Sequence, residues 1–244
     1  MTKELPYPEI VILTGAGISK ESGIDTFRDE GGIWSKYDIE DVCTPEALAS
    51  HPEFVNQFYN DRRAQLQSEE VRANAAHTSI ANLQKQYPGK VIIVTQNIDN
   101  LHEEGGAHSV LHMHGELLKA ECQACGHIGD QFAAIEPETL CPACGKAKTL
   151  RPHVVFFGEM PLYMGEIMAY LSSCDLFVAI GTSCSVYPAA GFVDVARDAG
   201  AETLELNLEP TEGANAFEYH RYGPATEIVA DFTDKILAGE ALSS

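Results

Sequence analysis

Four cysteines stand in two matching pairs, Cys122-x-x-Cys125 and Cys141-x-x-Cys144, with 15 residues between the pairs. That spacing suits two knuckles closing on one tetrahedral ion: each pair offers two thiolates, and Gly126 and Gly145 follow where tight turns are needed. Four thiolates fill zinc's coordination sphere and leave no place for substrate, so the expected metal is one structural Zn. His127 lies near enough in sequence to replace a ligand, but nothing requires it. The other cysteines, Cys43, Cys174 and Cys184, are scattered. Met1 to Pro8 has neither a basic n-region nor an apolar h-region, so the chain reads as cytoplasmic, where paired cysteines bind metal and do not form a disulfide framework.

Gly15-Ala16-Gly17 follows the apolar run EIVILT. Glycines let backbone N–H groups approach a pyrophosphate, and a helix turn beginning there favours negative charge. The dehydrogenase fingerprint is incomplete. Lys20 occupies the third glycine's place, and no second strand ending in an acidic residue follows about 20 residues on. Gly23 to Trp34 is too rich in glycine and charge to be that strand. Nucleotide binding therefore survives, while hydride transfer loses ground. His112-Met113-His114-Gly115 supplies imidazoles whose pKa suits general-base work. Their i,i+2 spacing does not place both on one helical face, which argues against a two-histidine metal helix. Taken alone, either histidine reads as a hydrogen-bonded structural residue.

These residues need elements to hold them. Four apolar runs read as buried parallel strands: Glu9 to Thr14, Lys90 to Thr95, Asp175 to Ile180 and Glu202 to Leu206. His153 to Phe157 is a fifth candidate. Helical patterns run over Pro52 to Gln67, Asn74 to Gln86, Pro161 to Ser173, Ala189 to Ala199 and Thr226 to Leu237. Strand–helix alternation predicts an α/β fold with a doubly wound, parallel, Rossmann-like sheet. The four strands end on Gly15-Ala16-Gly17, Gln96-Asn97-Ile98-Asp99, Gly181-Thr182-Ser183 and Asn207-Leu208-Glu209, where such a sheet binds ligand. Residues 1-34, 88-118 and 152-244 are assigned to the nucleotide-binding domain. A helical insertion, 35-87, and a zinc-ribbon insertion, 119-151, form the small domain.

The chain has 244 residues, 45% of them hydrophobic, enough for a sizeable core. Its formal net charge of −20, from 16 basic and 36 acidic residues, argues against direct nucleic-acid binding. It suits solubility first and basic protein substrates second. No apolar run approaches the ~20 residues of a membrane span. Nothing sets the oligomeric state, and a monomer is compatible with the sequence.

The string GAGISKESGI-x-x-F-R, then TQNIDNLH, HMHG, two C-x-x-C pairs, GTS and NLEP, in that order, resembles the sirtuins along essentially the whole chain. TQNIDNLHEEGG, RPHVVFFGEMP and VYPAAGF look like the bacterial CobB-type members. The resemblance implies an NAD-dependent protein-lysine deacylase. Gly15, Ala16, Gly17, Ser19, Phe27, Arg28, Gln96, Asn97, Asp99, Gly181, Thr182, Ser183, Asn207, Leu208, Glu209 and Ala225 would then line the NAD site. His114 would be the general base, with Asn97 and Asp99 ordering the nicotinamide ribose pocket. An acylated peptide would add as a strand beside Phe157, Gly158, Glu159 and Val186. The implied reaction consumes NAD. The acyl oxygen attacks ribose C1′ as nicotinamide leaves, and the base then deprotonates a ribose hydroxyl; lysine and O-acyl-ADP-ribose are the products. Phe27, in a glycine-flanked loop, would shield the reacting centre from water.

Tyr59 and Arg62 lie at i,i+3 on a helical pattern and share a face. In class III sirtuins a Y-x-x-R at this place reads the carboxylate of succinyl- or malonyl-lysine, a task suited to a guanidinium. Arg63 competes for that role, and Asp29-Glu30 brings carboxylates that would oppose an acidic acyl chain. A mono-ADP-ribosyltransferase and a non-catalytic NAD-binding module are the alternatives.

Overall fold

The computed structural model describes residues 5–24 and 37–242. Its elements are β1 (Glu9–Thr14), α1 (Ile39–Val42), α2 (Pro45–Ser50), α3 (Pro52–Leu66), α4 (Ala75–Gln86) and β2 (Lys90–Thr95). Then come α5 (Leu101–Glu104), β3 (Val110–His112), β4 (Gly115–Cys122), β5 (Ile128–Asp130) and β6 (Leu150–Val154). The chain ends with α6 (Met164–Leu171), β7 (Leu176–Ile180), α7 (Phe192–Asp198), β8 (Glu202–Asn207), β9 (Tyr219–Tyr222) and α8 (Ala225–Leu237).

Six strands form a parallel sheet in the order β3-β2-β1-β7-β8-β9. The chain starts at the centre, builds outward one way, then returns to build the other half. That reversal puts the topological switch point between β1 and β7, where a doubly wound sheet opens its ligand crevice. Both faces are covered, which is why β1, β2 and β7 are apolar through their middles; β8 departs from this with buried Thr203 and Glu205. Alternate residues Ile10, Ile12, Ile93, Val178 and Leu204 pack under α4 and α8 through Ile80, Leu83, Val229 and Phe232. The intervening Val11, Leu13, Val94, Phe177 and Ala179 meet Ile167 and Leu171 of α6, and Phe192 and Ala196 of α7, on the opposite face.

The smaller sheet, β5-β4-β6, is antiparallel. The expected strand at His153 to Phe157 is corrected here. The strand is Leu150–Val154, and it pairs with β4 beside the cysteines. Its apolar tail Val155 to Phe157 continues past the sheet toward the cleft. The helices of the insertion assigned to 35-87 pack in two different places. α4 packs in the core of the parallel sheet through Ala76, Ile80 and Leu83, whereas α3 packs with Leu117, Val154 and Phe156 through Val55, Phe58 and Tyr59. So α4 packs on the parallel sheet and α3 beside the smaller one. Asn74 fixes its start: the side chain accepts the Ala76 N–H at 2.9 Å and donates to the Ile18 carbonyl at 2.8 Å. The turn after Gly15 is a 3₁₀ helix, Ala16–Ser22. Among the described residues, no helix is long and apolar enough to cross a membrane.

Candidate active site

The carboxyl ends of β1, β2, β7 and β8 open on one cleft of about 1000 Å³. Gly15, Ala16 and Gly17 form its floor at the switch point, facing Gly181, Thr182 and Ser183. The backbones cross so closely that a Cβ on Gly17 would lie 2.7 Å from the Gly181 Cα, and one on Gly15 would lie 2.8 Å from the Gly181 carbonyl oxygen. These glycines therefore let two loops touch as well as leaving backbone bare for ligand.

Gln96, Asn97 and His114 form the middle of the cleft. Asn97 is clamped: its Nδ2 donates to the Gly15 carbonyl at 3.2 Å and to the Ser19 hydroxyl at 3.1 Å. Ser19 in turn donates to Asp99 Oδ2 at 3.0 Å. Ser19 and Asp99 line an adjoining recess of about 50 Å³ that shares Ala16, Asn97 and Arg62 with the main cleft. Burial raises the Asp99 pKa, while the Leu101 N–H and the Ser19 hydroxyl favour the carboxylate.

The two histidines part company. His112 ends β3, is buried, and bonds Glu103 through Nε2 at 2.9 Å. Burial works to lower its pKa, but the hydrogen bond and charge of Glu103 outweigh that, and the net shift is upward. It does not line the cleft. His114 does, in the turn between β3 and β4. Its Nδ1 lies 3.0 Å from the Gln96 carbonyl. A carbonyl only accepts, so Nδ1 carries the proton and neutral Nε2 is an acceptor. Burial pushes the His114 pKa down, against a smaller upward pull from that carbonyl. Gly115 makes the turn possible: its φ is +82°, and a Cβ there would collide with the His153 carbonyl oxygen.

Asn207, Leu208, Glu209 and Ala225 line the cleft beyond β8 and β9. Phe157, Gly158, Glu159 and Val186 line another side, together with Tyr59 and Arg62. Phe27 and Arg28, like Asp29 and Glu30, lie outside the described residues. Arg62 lies 3.3 Å over the Phe58 ring centroid and donates to the Phe58 carbonyl at 2.8 Å. Arg63 points away: it is buried and holds the Leu117 carbonyl and Asn60 Oδ1. It anchors α3 to β4 and cannot reach the cleft without leaving those partners.

Sequence reading missed part of this wall. Tyr59 is buried and stacks at 5.7 Å on Phe156, and its hydroxyl donates to Cys43 Sγ at 3.3 Å. Arg151 lies 4.1 Å over Phe156 and pairs with Glu159 at 2.6 Å, while Glu159 also accepts the Phe156 N–H at 2.7 Å. The stretch RPHVVFFGE carried the signal, but a strand reading of it hid the turn.

The four cysteine sulfurs lie within 4.8 Å of one another. Cys122–Cys144 and Cys125–Cys141 are each 3.8 Å apart. The N–H of Gly126 bonds the Cys122 carbonyl and that of Gly145 the Cys141 carbonyl, both at 2.8 Å, which forms the two expected knuckles. The donor set fits one structural zinc.

Residues 15–188 match the model of the Sir2 family. The NAD-dependent protein deacylase of Vibrio parahaemolyticus is 53% identical over 233 residues, covering 96% of this chain and 97% of its own. Among solved structures, a Sir2 homolog–NAD complex superimposes with a TM-score of 0.85 at 33% identity, covering 94% of this chain and 90% of that one. A Sir2 protein bound to a myristoylated histone peptide does so with a TM-score of 0.73 at 29% identity, covering 94% and 91%.

Proposed function

The chain belongs to the Sir2 family and is an NAD-dependent protein deacylase; we propose that it releases succinyl and malonyl as well as acetyl groups from lysine, with His114 as its general base. One observation carries the choice of base. The Gln96 carbonyl fixes the tautomer of a histidine held neutral by burial, so Nε2 is ready to take a proton from a ribose hydroxyl. NAD, when bound, supplies the ribose C1′ electrophile and the nicotinamide leaving group.

The rest of the cleft positions and excludes. Asn97, held by Gly15 and Ser19, and Asp99, held by Ser19 and Leu101, order the nicotinamide ribose pocket. The loops at Gly15 to Gly17 and Gly181 to Ser183 face the phosphates; the N–H groups of Gly15, Gly17 and Gly181 are taken by the Ile180, Gly181 and Leu206 carbonyls, so any backbone donor to phosphate comes from the other residues of these loops. Asn207, Leu208, Glu209 and Ala225 receive the far nucleoside. The acylated peptide lies along Phe157 to Glu159 and Val186, and its acyl end meets the Tyr59–Phe156 stack with Arg62 at the rim. A cytoplasmic location belongs to the same proposal.

Incubating the protein with NAD and acetyl-, malonyl- and succinyl-lysine peptides, followed by mass spectrometry of the products, tests the reading. Nicotinamide and O-acyl-ADP-ribose from all three peptides are expected. Turnover of the acetyl peptide alone would remove the acidic substrates, and ADP-ribosylated protein without free lysine would replace deacylation by transfer.

A further inference from the structure

Glu205 is fully buried within β8, between Leu204 and Leu206, and does not line the cleft. A carboxylate inside a sheet is costly unless donors surround it. Three converge here. The Thr211 hydroxyl reaches Oε1 at 2.5 Å and Asn207 Nδ2 reaches it at 3.2 Å, while the Tyr222 hydroxyl reaches Oε2 at 2.9 Å. His220 Nδ1 stands 3.7 Å from Oε2. Asn207 Nδ2 also donates to the Thr182 carbonyl at 2.9 Å.

These partners come from different strand ends: the loop after β7, the end of β8 and the loop beyond it, and the end of β9. Thr182, Asn207 and Thr211 line the cleft, and so does Gly223, next to Tyr222. One buried acceptor therefore sets the relative placement of three loops at the end of the cleft away from His114. We infer that Glu205 is a positioning residue for NAD, which holds Asn207 and its neighbours in the geometry that receives the adenosine half. This rests on the reading that places NAD in this cleft with its nicotinamide ribose beside His114. That end is then fixed by the Asn97 clamp, and the opposite nucleoside must extend toward β8 and β9. Glu205 touches no substrate; it acts through Asn207 and Thr211.

The role separates NAD binding from chemistry. Steady-state kinetics on both substrates, thermal melts and calorimetric ADP-ribose binding would be measured on the full chain. Glu205→Met keeps bulk but removes every acceptor. It is expected to raise KM for NAD and Kd for ADP-ribose by ~10-fold or more, as loss of charge-assisted bonds does, with kcat at saturating NAD within ~2-fold and peptide KM unchanged. Glu205→Gln is expected to recover much of that loss. If Glu205→Met does not fold, Thr211→Val removes one donor, and a rise of ~3-fold in KM for NAD is expected. An unchanged KM for NAD in folded variants overturns the inference, as does a joint loss in kcat and both KM values. Asn207→Ala tells the two levels apart. If it weakens NAD while the Glu205 variants do not, only the positioning role fails. If it too leaves NAD binding unchanged, the placement of NAD at this end of the cleft fails with it.

Discussion

Around the four cysteines the buried cluster is small: Ala120, Ile135 and Leu150, with the thiols of Cys122 and Cys141. The two faces of the parallel sheet instead bury long ranks of Ile, Val, Leu and Phe. Fully burying such a side chain contributes about 1.5–3 kcal/mol, so the sheet orders itself by apolar packing. The cysteine module has too few of these residues to offset its own conformational entropy. It needs a metal, and the sheet does not. The turn that carries the proposed base lies where the two regimes meet, since the chain leaves the parallel sheet at β3 and Gly115 opens β4 of the module's sheet. Disturbing the metal should therefore reach the base through β4.

Removing the zinc is the largest perturbation. Structural zinc contributes about 10–16 kcal/mol in zinc-finger peptides, far more than the apolar cluster here. Metal analysis should give about one Zn per chain, as the four-thiolate site requires. Chelation, or Cys122→Ser, should abolish activity on every acyl substrate. Hydrogen exchange should then show lost protection across β4, β5 and β6, with β1, β2 and β7 still protected. Equal loss in both regions would break the comparison, because the sheet would then depend on the metal too.

Next comes the base. His114→Ala should lower kcat by at least ~10²-fold, the low end for loss of a general base, with NAD and peptide binding largely kept. Because its folded pKa is depressed, the acid limb of kcat/KM should have its midpoint below 6.5, the ordinary imidazole value. His112 runs the other way. Its folded pKa is raised, so its contribution to stability is present below the unfolded value and fades as pH rises through the folded one. His112→Gln should cost stability at low pH and leave kcat near wild type. An inactive His112→Gln beside an active His114→Ala would reverse the assignment.

The same contrast explains what the sequence disclosed. The central strands were legible because β1, β2 and β7 are buried on both faces and spell apolar runs, while β8 shows only Leu204 and Leu206 on either side of its buried Glu205. The cysteine site was legible because metal geometry forces local spacing. The edge strands β3 and β9 were not: Tyr219–Tyr222 alternates half-buried and exposed residues and carries no apolar signal. Nor was the ownership of α4, since an amphipathic helix does not say which core it covers. The Arg151–Glu159 pair, the Tyr59–Cys43 bond and the Glu205 hub are contacts between side chains that meet only after folding. GAG and HMHG pointed to the cleft, but not to the crossing of two backbones that Gly15 and Gly17 allow. Nor did the motif HMHG by itself separate its histidines; folding puts His114 in the cleft against the Gln96 carbonyl and His112 behind it against Glu103.

Smaller effects test the acyl end of the cleft, where a neutral aromatic wall meets a cation. Arg62→Met removes the charge and keeps much of the bulk. Desuccinylation should fall by ~10²-fold, since truncating one partner of a desolvated charge pair costs about 2–5 kcal/mol. Deacetylation should change far less, because acetyl brings no charge. Equal losses on both substrates, in steady-state assays, would make Arg62 a support for α3 through its contacts with Phe58.

Tyr59→Phe should give the smallest effect, and its size follows from where the hydroxyl goes. In the free protein it donates to Cys43 Sγ at 3.3 Å, a weak acceptor, while the ring lies between Phe58 and Phe156. The phenyl ring keeps both aromatic contacts, so the melting temperature should move little. An incoming carboxylate is a stronger acceptor than a thiol, so the hydroxyl gains by turning from Cys43 to the substrate. Losing that one charge-assisted bond should reduce kcat/KM for the succinyl peptide by roughly 10-fold, and for the acetyl peptide hardly at all. A loss shared by both peptides would mean that the Tyr59–Cys43 bond shapes the wall itself. Cys43→Ala, which leaves the hydroxyl without its present acceptor, would then reproduce the defect. If Cys43→Ala instead leaves the acetyl rate unchanged and the succinyl rate equal or higher, the hydroxyl belongs to the acidic substrate.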